Sequence, residues 1–196
     1  MHSAIAEVLF SLEDKTMQGV TDWSKALCDS TMQRISDPKK LGGWGYAISL
    51  YLYGQYLVYK RTGEKKYLGY IQGWVDLHVS GDGVIDRPIS ALDYMQPSNL
   101  LVQLHAESRQ EKYRKAAESI RRRLNTYPRT EDGGLWHALS RQHQLWLDGI
   151  FMSMPFLVRY GKAFHEETYA NDEAAKQLPI YVKHLNDPPT GLMWHA

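Results

Sequence analysis

Two aspartates stand where their neighbours make ionisation costly. Asp148 lies between Trp146-Leu147 and the apolar run that starts at Gly149-Ile150, and Asp93 lies between Leu92 and Tyr94. A charged carboxylate in apolar surroundings costs several kcal/mol unless something pairs with it. Asp148 therefore has three readings. As an N-cap it satisfies amides of the following helix, although Phe151 leaves the capping box incomplete. As a surface residue it has odd neighbours. As a buried acid beside Trp146 it has a raised pKa and donates a proton near neutrality. Asp93 is its natural partner, because each precedes an apolar helix. Two like charges held close raise one pKa, which makes an acid and a base from one residue type. The rival reading is a pair of turn aspartates related by an internal repeat.

Histidines come next. His137 and His195 occupy matching turns, Trp136-His137-Ala138 and Trp194-His195-Ala196, and His143 lies just before Asp148. A histidine near a turn is commonly a structural hydrogen-bonding group, while the matched positions favour binding. No H-x-x-x-H or H-E-x-x-H spacing and no cysteine cluster occurs, so no metal or other cofactor is expected. There is no phosphate loop after a strand and no G-x-S-x-G. The Arg121-Arg122-Arg123 tract reads as a solvated helix face. Trp44, Trp136, Trp146 and Trp194 around a mouth would suit sugars, whose apolar ring faces stack on aromatic rings. The alternative is that these tryptophans simply join neighbouring helices.

The elements that must position these groups form a repeat. Segments 51–85, 100–138 and 149–196 each read as an apolar helix, a polar joint, a second helix bearing Tyr67, Tyr113 or Tyr169, and a glycine-containing closing turn. A recurrence of roughly fifty residues is a helical hairpin, and such units stack because one alone cannot bury its apolar face. The first helix of each unit is apolar nearly all round. The second is amphipathic: Tyr113, Ala116, Ala117, Ile120 and Leu124 share one face. This contrast predicts two concentric helical layers. A further helix is predicted over 20–36, a tight joint at Gly42-Gly43-Trp44-Gly45, and at most short ribbons at 79–86 and 135–138.

Composition bounds the rest. The chain has 196 residues and net charge +1, so one domain is expected and no broad field draws nucleic acid. The longest apolar stretch, 149–158, is too short for a membrane span. Cys28 is the only cysteine, which forbids an intrachain disulfide. The opening residues lack a basic n-region and include Glu7, which argues against a secretory signal, so a cytoplasmic location is expected.

Together, YPRTEDGGLWHA (127–138) and RQHQLWLDGIFMSMPFLVRYG (141–161) resemble the unsaturated glucuronyl and rhamnogalacturonyl hydrolases, glycoside hydrolase families 88 and 105. The segments 44–68 and 91–105 and the terminal GLMWHA fit the same pattern, closer to the family 105 branch. The resemblance implies an all-α fold, an (α/α)6 barrel of helical hairpins with its site at one mouth. It also implies removal of a 4,5-unsaturated uronic acid from the non-reducing end of lyase-generated oligosaccharides, with an unsaturated rhamnogalacturonan disaccharide favoured. In that scheme Asp148 protonates C4 of the enol ether and helps water add at C5, and Asp93 tunes the exchange. His195 and Trp146 contact substrate, with Trp44, Tyr46 and His137 nearby. Family members are much longer than this chain, so an incomplete barrel is expected over 1–196. A homo-oligomer that completes the open barrel is one way out. A carbohydrate-binding or inactive helical scaffold is the competing function.

Overall fold

A computed structural model describes residues 22–196. Seven α-helices carry the described residues: α1 (Trp23–Arg34), α2 (Tyr46–Thr62), α3 (Lys65–His78), α4 (Ser98–Ser108), α5 (Glu111–Thr126), α6 (Gly149–Phe164) and α7 (Glu167–Leu185). The hairpins α2/α3, α4/α5 and α6/α7 correspond to the three repeats, and α1 packs on α2. None of the described helices is long and apolar enough to cross a membrane. The helix predicted over 20–36 is α1, capped by the Asp22 side chain, which accepts from the Lys25 amide at 3.0 Å; residues 20–21 lie outside the described residues.

Each hairpin turns in the same way. The first helix ends on a left-handed residue, Gly63, Arg109 or His165. The left-handed region is cheap for glycine and costs other residues roughly 1–2 kcal/mol, so tertiary packing must hold Arg109 and His165 there. The first helices α2, α4 and α6 form the inner layer, with α4 against both α2 and α6. Leu100, Leu101, Val102 and Leu104 of α4 are buried accordingly. The predicted face of α5 is buried at all five positions.

The repeated tyrosines explain how one hairpin grips the next. Tyr67 Oη donates to Asp29 at 2.8 Å, and Tyr113 Oη donates to Asp76 at 2.7 Å. In both cases the preceding lysine, Lys66 or Lys112, pairs with the same carboxylate at 2.7 Å. Tyr67 thus ties α3 to α1, and Tyr113 ties α5 to α3. The third unit varies the device: the guanidinium of Arg121 lies 3.8 Å from the centroid of Tyr169 and pairs with Glu166 at 2.8 Å. This corrects the reading of the arginine tract as simply solvated. Arg121 stitches α5 to α7, Arg123 stacks on Tyr127, and Arg122 alone faces water.

Strand content is minimal, as expected. Single bridges join Val79 to Ile85, Arg129 to Leu135 and Ala91 to Ala138. A two-residue hairpin, β1 (Asn186–Asp187) with β2 (Leu192–Met193), closes the last unit at the turn read from TGLMWHA. Tyr113→Phe leaves Asp76 bonded to Lys112 but removes one charge-assisted hydrogen bond at a fully buried ring. Urea denaturation should show a loss of about 1–2 kcal/mol, with the helical circular dichroism of the folded state unchanged.

Candidate active site at the entrances of α4 and α6

Asp93 is held on a 3-10 turn, Leu92–Tyr94, just ahead of α4. The turn is fixed from two sides. The Leu92 amide donates to the carbonyl of His137 at 2.9 Å, and the Leu139 amide donates to Ser90 at 2.8 Å. From behind, Trp44 Nε1 donates to the carbonyl of Tyr94 at 2.9 Å. The closing turn of the second hairpin therefore folds back on the entrance of its own inner helix and sets His137 beside Asp93, with Nε2 3.7 Å from Oδ1.

The third hairpin repeats the arrangement one unit along. The Leu147 amide donates to the carbonyl of His195 at 2.7 Å, and His195 Nε2 stands 3.3 Å from Asp148 Oδ1. Asp148 occupies the N-cap position of α6, and its carbonyl accepts from Met152 at 2.9 Å. Its side chain makes no capping hydrogen bond. Of the three readings, the capping one holds for the backbone alone, which leaves the carboxylate available to the mouth.

Packing then brings the two units together. Asp93, Asp148 and His137 each place one ligand-type atom within 4.8 Å of the others. The approach depends on Gly149. A Cβ there would lie 2.9 Å from Tyr181 Oη and 3.0 Å from Leu92 Cδ1, so both side chains would have to shift. Tyr181 is pinned by its own bond to the Leu135 carbonyl at 3.1 Å. Neither Tyr181 nor the need for glycine at 149 was legible in the sequence, because both follow from two elements meeting.

The cluster is incompletely satisfied by protein. Asp93 Oδ1, Asp148 Oδ1 and His137 Nδ1 are buried atoms with no hydrogen-bond partner among the described residues. Buried polar atoms are nearly always paired, so three in one cluster mark a place where a ligand's hydroxyls would be held. Burial pushes the Asp93 carboxyl above the usual carboxylate range. Asp148 adds to that rise, while His137 opposes it.

Aromatic rings border the acids. His137, 5% exposed, stacks on Trp146 with centroids 4.2 Å apart and planes 11° apart. Trp146 also meets His195 at 5.3 Å, and its Nε1 donates to Gln144 at 3.0 Å. The Arg141 guanidinium lies 5.7 Å from the Trp146 centroid, a cation that sequence reasoning missed. Trp44 needs correction as a pocket-lining residue. It is 1% exposed and stacks on Trp74 at 5.5 Å, so it buttresses the Asp93 turn and presents no face to the mouth. Tyr46 is exposed at the start of α2. Trp136 packs on His143 at 4.5 Å, and Trp194 is exposed.

The raised pKa of Asp93 carries a stability cost with a definite sign. The folded chain holds its proton to higher pH than the unfolded chain, so stability falls as pH rises from the unfolded value through the folded one. Asp93→Asn removes that cost. Its denaturation midpoint should match or exceed that of the unsubstituted protein at neutral pH, and the advantage should shrink below the unfolded pKa. Gly149→Ala should do the opposite, costing about 1–3 kcal/mol by overpacking.

Known proteins place this geometry in context. The chain is 27% identical over 159 residues to the unsaturated rhamnogalacturonyl hydrolase YesR of Bacillus subtilis strain 168, which covers 78% of this chain and 45% of that protein. A glycoside hydrolase from family 105 of C. acetobutylicum ATCC 824 superposes with a TM-score of 0.83 at 34% identity, over 89% of this chain and 49% of its own. A possible family 105 member from Klebsiella pneumoniae shares the fold, with a TM-score of 0.74 at 24% identity, over 90% of this chain and 51% of its own. The chain thus spans about half the length of these relatives. The model of Glycosyl Hydrolase Family 88 matches residues 23–196. That match covers most of the chain, which belongs to glycosyl hydrolase family 88.

Proposed function

We propose that this chain carries the acid–base half of a hydrolase that removes a 4,5-unsaturated uronic acid from the non-reducing end of a short oligosaccharide. An unsaturated rhamnogalacturonan disaccharide is the favoured substrate. The observation that carries the reading is the meeting of Asp93, Asp148 and His137 within 4.8 Å beside the Trp146 ring. The name of the Bacillus relative gives the substrate class.

The chemistry suits two carboxyls better than one. Protonating the alkene carbon C4 needs a true acid, and the positive character that develops at C5 needs nearby negative charge. Burial favours the neutral form of Asp93, and a second carboxyl beside it lets the cluster offer both an acid and negative charge. Asp148 gives its proton to C4. A water molecule adds its hydroxyl at C5, and its remaining proton returns to the carboxylate. The resulting hemiketal opens and releases the neighbouring sugar. The substrate's own carboxylate adds a further negative charge at the mouth, which favours the protonated form of the pair. His137 and His195 stand beside the two carboxylates and offer ring nitrogens to sugar hydroxyls. Trp146 offers an apolar face to a pyranose ring.

The experiment follows the ultraviolet absorbance of the conjugated double bond when the protein meets the unsaturated disaccharide. Turnover should bleach it, and Asp148→Asn should slow the loss about 10²–10⁴-fold while helical content is kept. Binding by both proteins without bleaching would instead identify a carbohydrate-binding scaffold. The rate should fall as pH rises and the acid's proton leaves. A rate that stays flat from acid to alkaline pH would remove the carboxyl pair from the mechanism.

A further inference from the structure

The ribbon that leads into Trp136-His137 contains a buried residue whose backbone groups its own partner strand does not meet. Leu135 stands opposite Arg129. The hydrogen bonds of that pair are made by the flanking residues: Thr130 donates to Gly134 at 2.8 Å and Trp136 donates to Pro128 at 3.1 Å. In an antiparallel pair of this kind the N–H and C=O of the central residue point away from the partner strand. Leu135 is buried, and an unpaired buried backbone group costs about as much as a lost hydrogen bond. Both groups need partners from outside the ribbon.

α7 supplies them. Glu173, Gln177 and Tyr181 recur every four residues, so they share one face of the helix, and all three are buried. Gln177 Oε1 accepts from the Leu135 amide at 3.1 Å, and Tyr181 Oη donates to the Leu135 carbonyl at 3.1 Å. Gln177 Nε2 donates to the Gly133 carbonyl at 2.9 Å and to Glu173 Oε1 at 2.8 Å. Glu173 Oε1 also accepts from Arg129 Nη1 at 2.6 Å, at the start of the same ribbon. An apolar side chain at 177 would leave the Leu135 amide unpaired.

This face of α7 reaches the acid cluster from both units. Two residues after Leu135, His137 stands 3.7 Å from Asp93, and its carbonyl accepts from the Leu92 amide at 2.9 Å. On the other side, Tyr181 Oη crowds Gly149, the residue that follows Asp148. We propose that Gln177 is a positioning residue for the acid cluster: through the Leu135 amide it fixes where His137 stands relative to Asp93 and Asp148. The proposal rests on the hydrolase reading of that cluster, but its first measurement requires no turnover.

Gln177→Met keeps an unbranched side chain and removes both hydrogen-bonding groups, whereas Tyr181→Phe removes only the hydroxyl at the Leu135 carbonyl. The His137 ring, stacked on Trp146 at 4.2 Å, should give proton resonances moved upfield by the indole, assigned by their loss in His137→Gln. Gln177→Met should return them toward ordinary histidine positions, and Tyr181→Phe should move them the same way by less. Tyr113→Phe removes a buried tyrosine hydrogen bond between α5 and α3 and should leave them in place. With the unsaturated disaccharide, kcat/KM should fall about tenfold or more in Gln177→Met and stay within about twofold in Tyr113→Phe. If Gln177→Met does not fold, Gln177→Glu, which keeps an acceptor for Leu135 and loses the donor for Gly133, carries the same expectation. Unmoved His137 resonances in the Gln177 variant would overturn the proposal and leave Gln177 a tie between α7 and the ribbon. An equal displacement in Tyr113→Phe would also overturn it, because any loss of stability would then suffice. Displaced resonances in a protein that never bleaches the disaccharide would support the positioning of His137 and count against the hydrolase reading alone.

Discussion

The structure depends on one recurring contact: the closing turn of a hairpin hydrogen-bonds back onto the entrance of that hairpin's own inner helix. Leu92 donates to His137 and Leu147 donates to His195, at 2.9 and 2.7 Å. Both bonds are made by the residue immediately before an aspartate, and both are accepted by the carbonyl of a histidine. A single backbone register therefore delivers an aspartate and a histidine together, twice. In the first unit Arg87 plays the corresponding part, donating to the Trp44 carbonyl at 3.0 Å. That entrance has no acid, and it serves as a prop beneath Tyr94.

A stack of such units would merely line up Asp–His pairs if the hairpins stood apart. The two units pack closely at Gly149, where Leu92 and Tyr181 crowd the start of α6. The Tyr67–Asp29 and Tyr113–Asp76 hooks link α1, α3 and α5 in succession. The cluster carries an energetic cost among the described residues. Asp93 is pushed toward its neutral form by burial, three buried polar atoms lack protein partners, and compensation comes from the apolar core around α4. This trade is common where catalytic groups sit in apolar surroundings.

Function then rests on polarity along the array. At the entrance end the inner helices present acids, imidazoles and the Trp146 ring. Along the edges they present bare apolar stripes. The two surfaces differ in chemistry, polar at the entrances and apolar along α6. The arginines show the same division of labour: Arg121, Arg129 and Arg159 are consumed in holding helices together, whereas Arg141 lies over Trp146 at the mouth.

Much of this was legible from local pattern. The period of about fifty residues, the contrast between apolar first and amphipathic second helices, and the matched tyrosines follow from spacing alone, because helical periodicity is written in sequence. Asp93, Asp148, His137 and His195 were legible as candidates for a related reason: an acid among apolar residues and a histidine in a repeated turn are local anomalies. Tertiary structure decided how they meet. Whether Trp44 faced a sugar or a neighbouring helix depended on Trp74, thirty residues away in the chain and stacked on it in space. Whether Asp148 capped with its side chain depended on the geometry of one turn, and the partnership of Asp93 with Asp148 depended on Tyr181, Leu92 and a glycine arriving at the same point. Pattern records which face of an element is apolar; only the packed chain determines which atoms come within a few ångströms, because that distance is set by side chains remote in sequence.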